Sequence, residues 1–172
     1  TVLHAAIGFQ RSSVDAKAGD RLQSGDYARY FRVLRHHLSQ RERNRAIGWK
    51  SLESAFSDVN EAVLLISVDC IVDKLSPLAV GFLDDVNGWT LHGRRLRHAD
   101  AKVQRLLDAH CAAVARDGQM RSMATASGWG ELFWVDISAA PPALSLIGGR
   151  MLLMRMRKKS AFAMPDVTKL QS

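Results

Sequence analysis

Between Asp58 and Asp100 the sequence changes its hydrophobic period several times, and few folds accommodate that. A dense apolar run, Ala62 to Val68, meets a polar corner at Asp69-Cys70, then a second short run at Ile71-Val72. Ala62–Val68 and Cys70–Leu75 therefore read as a hairpin-like pair of strands. Pro77 stands where a helix can begin, because its fixed φ and missing N–H cost nothing in a first helical turn. Leu78, Val80, Phe82 and Leu83 give Pro77–Val86 an apolar face, and Asn87-Gly88 closes it as a turn. The order is strand, turn, strand, short helix, turn.

Upstream, Asp26 to about Asp58 carries a helical pattern. Tyr27, Phe31, Leu34 and Leu38 recur at spacings of three and four, and the stripe resumes at Trp49, Leu52, Phe56 and Val59. A basic patch, Gln40 to Arg45, separates the halves, and Gly48 stands where the helix would loosen. A helix of about 30 residues exceeds what a small core needs. A narrow apolar seam on such a helix pairs with another helix, so the seam predicts a homodimer.

Downstream, Trp89 and Leu91 alternate with Thr90 and His92, the period of a half-buried strand. Gly93 turns the chain and Leu96 returns to the core. Lys102–Arg116 is an amphipathic helix with Val103, Leu106, Leu107, His110, Cys111 and Val114 on one broad face, stopped by Asp117-Gly118. Three strands follow: Gln119–Ala126, Glu131–Ser138 and Ile147–Arg157. Phe133, Val135 and Ile137 share one face of the second strand; Leu152, Met154 and Met156 point inward from the third. The sum is an α+β arrangement, an antiparallel sheet with helices on one side, preceded by a long helix.

At 172 residues, 47% hydrophobic and 24% charged, the chain has the composition of a globular domain with an accessory element. Net charge is +7, and the excess clusters at Arg41–Arg45 and Arg155–Lys159. Aromatic residues do not interleave these patches as base stacking requires, so they read as solvated faces of a linker helix and an edge strand. The two cysteines, Cys70 and Cys111, lie in apolar surroundings without CxxC spacing, which reads as buried thiols in a reducing, cytoplasmic setting. No run reaches the roughly 18 apolar residues of a membrane helix.

The candidate chemistry is sparse. His36 and His37 are consecutive on a helix and diverge by about 100°. His110 and Cys111 diverge in the same way, which denies them a nucleophile–base contact. No histidine pair has the i, i+4 metal spacing with a carboxylate between, and no glycine cluster forms a phosphate loop. The expectation is a protein that is not an enzyme and holds no metal; no motif names a cofactor. Cys70, Phe82, Trp89, Met123, Phe133, Trp134 and Met154 are the residues positioned to line an apolar ligand cavity between the sheet and the short helix, with plain core filling as the competing reading.

The stretch Asn87-Gly-Trp-Thr-Leu-His-Gly-Arg-Arg-Leu-Arg-His-Ala-Asp100 resembles the GL-x-L-x-x-G-x-L-x-A-x-D segment of helix-turn-helix transcription regulators of the LuxR type that carry a PAS-like domain. Tyr30–Gln40 is similar to the Arg- and Leu-rich helix preceding that domain, Val63–Asp69 to its LLLVD strand, and Pro165–Leu170 to the Pro-Asp opening of the helix that follows. Cys70–Asp73 is more apolar than the family pattern, and Lys74-Leu75-Ser76 replaces its NAAA helix start.

The resemblance implies four segments: residues 1–25 as the remnant strand and loop of an upstream sensory domain, 26–59 as a linker and dimerisation helix, 60–160 as a PAS-like domain, and 161–172 as the start of a linker to a DNA-binding domain outside this chain. The expected function is to sense and dimerise, with DNA reached only through that absent domain and a small molecule as a possible ligand. The alternative is a ligand-free interaction and dimerisation scaffold.

Overall fold

The computed structural model describes residues 25–84, 86–145 and 149–158. The expected strand Thr1–Gln10, the loop after it and the Pro165–Leu170 element lie outside the described residues. The chain forms two compact units, Thr1–Arg43 and Asn44–Ser172.

Helix α1 runs Gly25–Asp58. In the first unit Phe31, Leu34 and Leu38 form a half-buried line flanked by exposed Arg32, Arg35, His36 and His37. Tyr27 falls in the first turn of α1. Gly48 does not interrupt the helix, and Val59 lies just past its end, exposed.

The second unit is built on five antiparallel strands: β1 (Ala62–Ser67), β2 (Val72–Leu75), β5 (Arg121–Ala126), β6 (Leu132–Ala139) and β7 (Met151–Lys158), in the order β2-β1-β7-β6-β5. Leu64 pairs with Met154, Val135 with Met156, and Met123 with Val135. A separate hairpin joins β3 (Trp89–His92) to β4 (Arg95–His98), turned by Gly93 at φ 63°. Helices α2 (Pro77–Phe82) and α3 (Ala101–Asp117) complete the unit. This is the α+β arrangement expected, an antiparallel sheet with packed helices preceded by a long helix.

Local chemistry sets the helix ends. The Ser76 hydroxyl accepts from Ala79 N–H at 3.2 Å and from Val63 N–H at 3.0 Å, so one oxygen caps α2 and ties it to β1. Pro77 follows at the first helical position. Asp100 caps α3 through Lys102 N–H at 2.7 Å, and Gly118, at φ 73°, ends it with its N–H on Val114.

One sheet face carries Ala62, Leu64, Ile66, Met123, Val135, Ile137 and Met154, packed with Ala79 of α2, Trp89 and Leu96 of the hairpin, and Leu107, Cys111 and Val114 of α3. The other face carries Val63, Leu65, Met151 and Leu153, packed with Trp49, Ala140 and Leu144, with Leu52 and Phe56 against them. The last turns of α1 thus cover part of this second face. Because β1 is covered on both faces, its sequence reads as an unbroken apolar run rather than an alternation.

Strand β7 pairs with both β1 and β6, so it is a central strand rather than the expected edge. Arg155 and Arg157 stand on its second face beside two carboxylates. Arg155 lies 3.2 Å from Asp136 and 3.8 Å from Glu61, and Arg157 lies 3.7 Å and 3.8 Å from the same two. Lys158 reaches Glu131 at 2.9 Å. Among the described residues, the basic side chains Arg155, Arg157 and Lys158 of β7 are thus each close to a carboxylate.

Candidate functional site

The space between the sheet and the layer formed by α2, the hairpin and α3 collects six of the seven residues expected at a ligand site. Cys70 and Trp89 are fully buried there, with Met123, Phe133 and Met154 buried and Phe82 half-buried. The Phe82 and Phe133 rings meet edge-on, 5.2 Å between centroids. Trp134 is not among them. Successive strand residues point to opposite faces, so with Phe133 and Val135 turned inward Trp134 stands on the second face, in register with Ala124 and Arg157.

At the edge of this apolar interior lies a short polar string. The His98 ring meets Trp89 edge-on at 4.6 Å. His98 Nδ1 accepts from Asp100 N–H at 3.0 Å, which leaves the ring proton on Nε2. Both Trp89 Nε1 and His98 Nε2 are buried without a hydrogen-bond partner among the described residues. Gly88, at φ 74°, makes this packing possible: a Cβ there would sit 3.1 Å from His98 Nε2. Burial pushes the His98 imidazole below its ordinary pKa.

From His98 the string runs to α3. Gln104 Oε1 accepts from the His98 backbone N–H at 2.8 Å, and Gln104 Nε2 donates to Asp108 Oδ1 at 2.9 Å. Cys70 Sγ lies 3.6 Å from the same Asp108 oxygen and 3.8 Å from Cys111 Sγ. The contact with Cys111, burial, and the Asp108 carboxylate together push the Cys70 thiol well above the ordinary thiol range. Cys70 is also one of two described non-glycine residues at positive φ, 60°, in the turn between β1 and β2.

A second set of contacts leads from this turn to α1. Leu96 N–H donates to Cys70 C=O at 2.8 Å, and Val72 N–H donates to Arg94 C=O at 2.7 Å. Arg94 Nε donates to Val72 C=O at 3.1 Å, and its guanidinium lies 3.6 Å from Asp73. Asp73 also receives the Arg45 guanidinium, whose Nε donates to Leu144 C=O at 2.8 Å. Hairpin, β2, the turn after β6 and α1 meet at Asp73 and Arg45.

Gln104, Asp108, Asp73 and Arg45 are not among the residues expected at the site. The spacing of Gln104, Asp108 and Cys111, four and then three residues along α3, was the signal that could have found two of them, since it puts all three on one helix face. Cys111 points to Cys70 and not to His110, whose Nδ1 is buried and unpartnered among the described residues. Burial and the nearby Arg121 hold His110 below its ordinary pKa. Among the described residues, no three His, Cys, Asp or Glu side chains gather as a metal-binding group, and no helix is long and apolar enough to cross a membrane.

No family model and no curated protein matches the chain. Among solved structures, a domain of an HTR-like protein from Haloarcula marismortui is similar at 10% identity and a TM-score of 0.43, over 58% of this chain and 97% of that one. The PAS domain of nitrogen regulation protein NR(II) from Vibrio parahaemolyticus is similar at 15% identity and a TM-score of 0.40, over 62% and 96%. A PAS domain of an HTR-like protein from Haloarcula marismortui is similar at 12% identity and a TM-score of 0.39, over 70% and 99%. The description of the fold rests on this chain's own strand order and register.

Proposed function

We propose that this chain is the sensory and dimerising segment of a cytoplasmic LuxR-type DNA-binding transcription regulator. In this reading it is non-enzymatic. The interior between the sheet and the β3–β4 hairpin takes the signal, and α1 passes it on. DNA is contacted only through a separate helix-turn-helix domain. The observation that carries the reading is the continuous run of contacts from the buried interior to α1: Cys70 and Leu96, the hairpin arginine Arg94, Asp73, and Arg45. A rearrangement inside the core reaches the long helix through few intermediates. The unpartnered Trp89 Nε1 in an otherwise apolar interior supports a small ligand with an acceptor group, because a buried N–H gains most from a partner that enters with the ligand.

Dimerisation falls to the Phe31, Leu34 and Leu38 line of α1. Trp49, Leu52 and Phe56, the other part of the expected seam, are packed against the sheet of their own chain. Native mass spectrometry tests both parts together. The expected result is a dimer that carries extra mass and reverts to monomer in Leu34→Asp. A dimer without extra mass favours the ligand-free scaffold, and a bare monomer overturns the dimer seam.

A further inference from the structure

We propose that Cys70 and Cys111 are a redox modification site, a dithiol that a small, uncharged two-electron oxidant of the peroxide class converts to an intramolecular disulfide. The two sulfurs are 3.8 Å apart although 41 residues separate them in the chain, and both side chains are fully buried. Closing a disulfide asks for a further approach to about 2 Å. The movement falls naturally to Cys70. It sits in a turn, whereas Cys111 is held in the middle of α3. Cys70 is also in the left-handed region at φ 60°, a conformation that favours glycine or asparagine. Strain kept at a non-glycine residue points to a use for its side chain.

The surroundings assign the order of events. Cys70 Sγ is placed to donate to both Asp108 Oδ1 at 3.6 Å and Cys111 Sγ at 3.8 Å, which keeps its proton in place and leaves Cys111 as the sulfur that meets the oxidant. Cys111 Sγ attacks a peroxide oxygen: an S–O bond forms, the O–O bond breaks, and the Cys111 thiol proton passes to the departing hydroxide, which leaves as water. Cys111 becomes a sulfenic acid. Cys70 then attacks the Cys111 sulfur; the S–S bond forms and the S–OH bond breaks. Asp108 Oδ1, 3.6 Å from Cys70 Sγ, takes the thiol proton and delivers it to the leaving hydroxide as a second water. Two thiols and one peroxide give one disulfide and two waters. Complete burial of both sulfurs excludes bulky disulfides such as oxidised glutathione, so the oxidant the proposal requires is a small neutral one. Asp108 is the group that moves the proton in the second step.

As a signal input this site rests on the sensory reading above. Cys70 C=O holds the β4 strand through Leu96 N–H at 2.8 Å, and the chain continues from Cys70 through Val72 to Asp73. A shift of the turn therefore pulls on the hairpin and on Arg45.

The test is timed exposure of the reduced, folded chain to hydrogen peroxide, read by intact mass, thiol titration and peptide mapping. The expected product has lost two hydrogens, titrates no thiols and links the Cys70 and Cys111 peptides within one chain. Cys70→Ser is expected to stop at a sulfenic acid trapped by a carbon-acid probe. Asp108→Asn is expected to slow disulfide formation about tenfold or more while leaving the sulfenic step unchanged. Two free thiols in the folded wild type under conditions that oxidise the denatured chain overturn the proposal, and so do disulfides between chains. Amide exchange around Arg45 and Leu96 separates the two claims. A change on oxidation supports the site as an input. An intramolecular disulfide with unchanged exchange leaves the modification site standing and overturns its use as the signal.

Discussion

The Arg45 guanidinium, 7% exposed, is closed on the carboxylate of Asp73, 19% exposed, so this ion pair is sheltered far more than an ordinary surface pair. Removing one partner leaves the other charge in a poorly solvated place, which costs about 3–5 kcal/mol, whereas replacing both with apolar residues of similar volume is close to neutral. Asp73→Asn is therefore expected to lower stability by about 3 kcal/mol, and Arg45→Met with Asp73→Leu to recover most of that loss. Urea unfolding midpoints of the three variants decide it. A loss below about 0.5 kcal/mol in Asp73→Asn is the behaviour of an exposed pair and would show that the clasp is not closed in solution.

Trp89 is completely buried with its indole N–H unpartnered among the described residues. Two effects oppose each other in Trp89→Phe. Losing the unpaired N–H relieves a desolvation penalty of about 1–3 kcal/mol, while the smaller ring leaves a void whose cost is of the same order. The expected change in the ligand-free chain is within about 1 kcal/mol, against about 3–5 kcal/mol lost in Trp89→Ala. In the ligand-sensing reading, Trp89→Phe also loses any mass retained by the wild type. Equal retention in both proteins would remove Trp89 as the polar anchor.

The same residues show how far the fold was legible in the sequence. Alternation along β6 placed Phe133, Val135 and Ile137 on one face and therefore Trp134 on the other; pooling Trp134 with the interior residues set that alternation aside. The run Ala62–Ile66 announced a buried strand, but only the two-sided covering by Trp49 and by α2 explains why its polar positions vanish. Arg45 belongs to a basic run that reads as solvated. Its burial depends on Asp73, 28 residues away, and on the Leu144 carbonyl, 99 residues away, and nothing local in the sequence announces either. The pairing of Cys70 with Cys111 is hidden for the same reason.

Acid sensitivity is expected to begin near neutrality, ahead of ordinary carboxylate titration. Burial lowers the folded-state pKa of His98, and burial with Arg121 lowers that of His110, both from about 6.5 in the unfolded chain. A histidine whose pKa is depressed in the folded state binds fewer protons there than in the unfolded chain. Its contribution is fully present above about pH 6.5 and is lost as the pH falls towards the folded-state value. Stability measured in urea from pH 8 downward is expected to hold level and then fall below about pH 6.5. His98→Gln with His110→Gln is expected to flatten that fall. A wild-type profile level to pH 5, where carboxylates begin to protonate, would contradict the partial burial of both rings.

Gly48 provides a separate check on how α1 meets the sheet. It lies in the helix interior, where glycine costs about 0.5–1 kcal/mol relative to alanine through backbone freedom in the unfolded chain. A Cβ at this position would lie 3.4 Å from Leu144 Cδ2, an ordinary van der Waals separation, with no other atom within contact range. The helix gain is therefore not opposed by a clash, and the added methyl extends the buried cluster of Trp49, Leu65 and Leu144. Gly48→Ala is expected to stabilise the chain by about 0.5–1 kcal/mol, seen as a higher urea midpoint at unchanged slope. A loss of stability would mean that α1 lies closer to the turn carrying Leu144 than this separation allows, and that Gly48 is there to let the two elements approach.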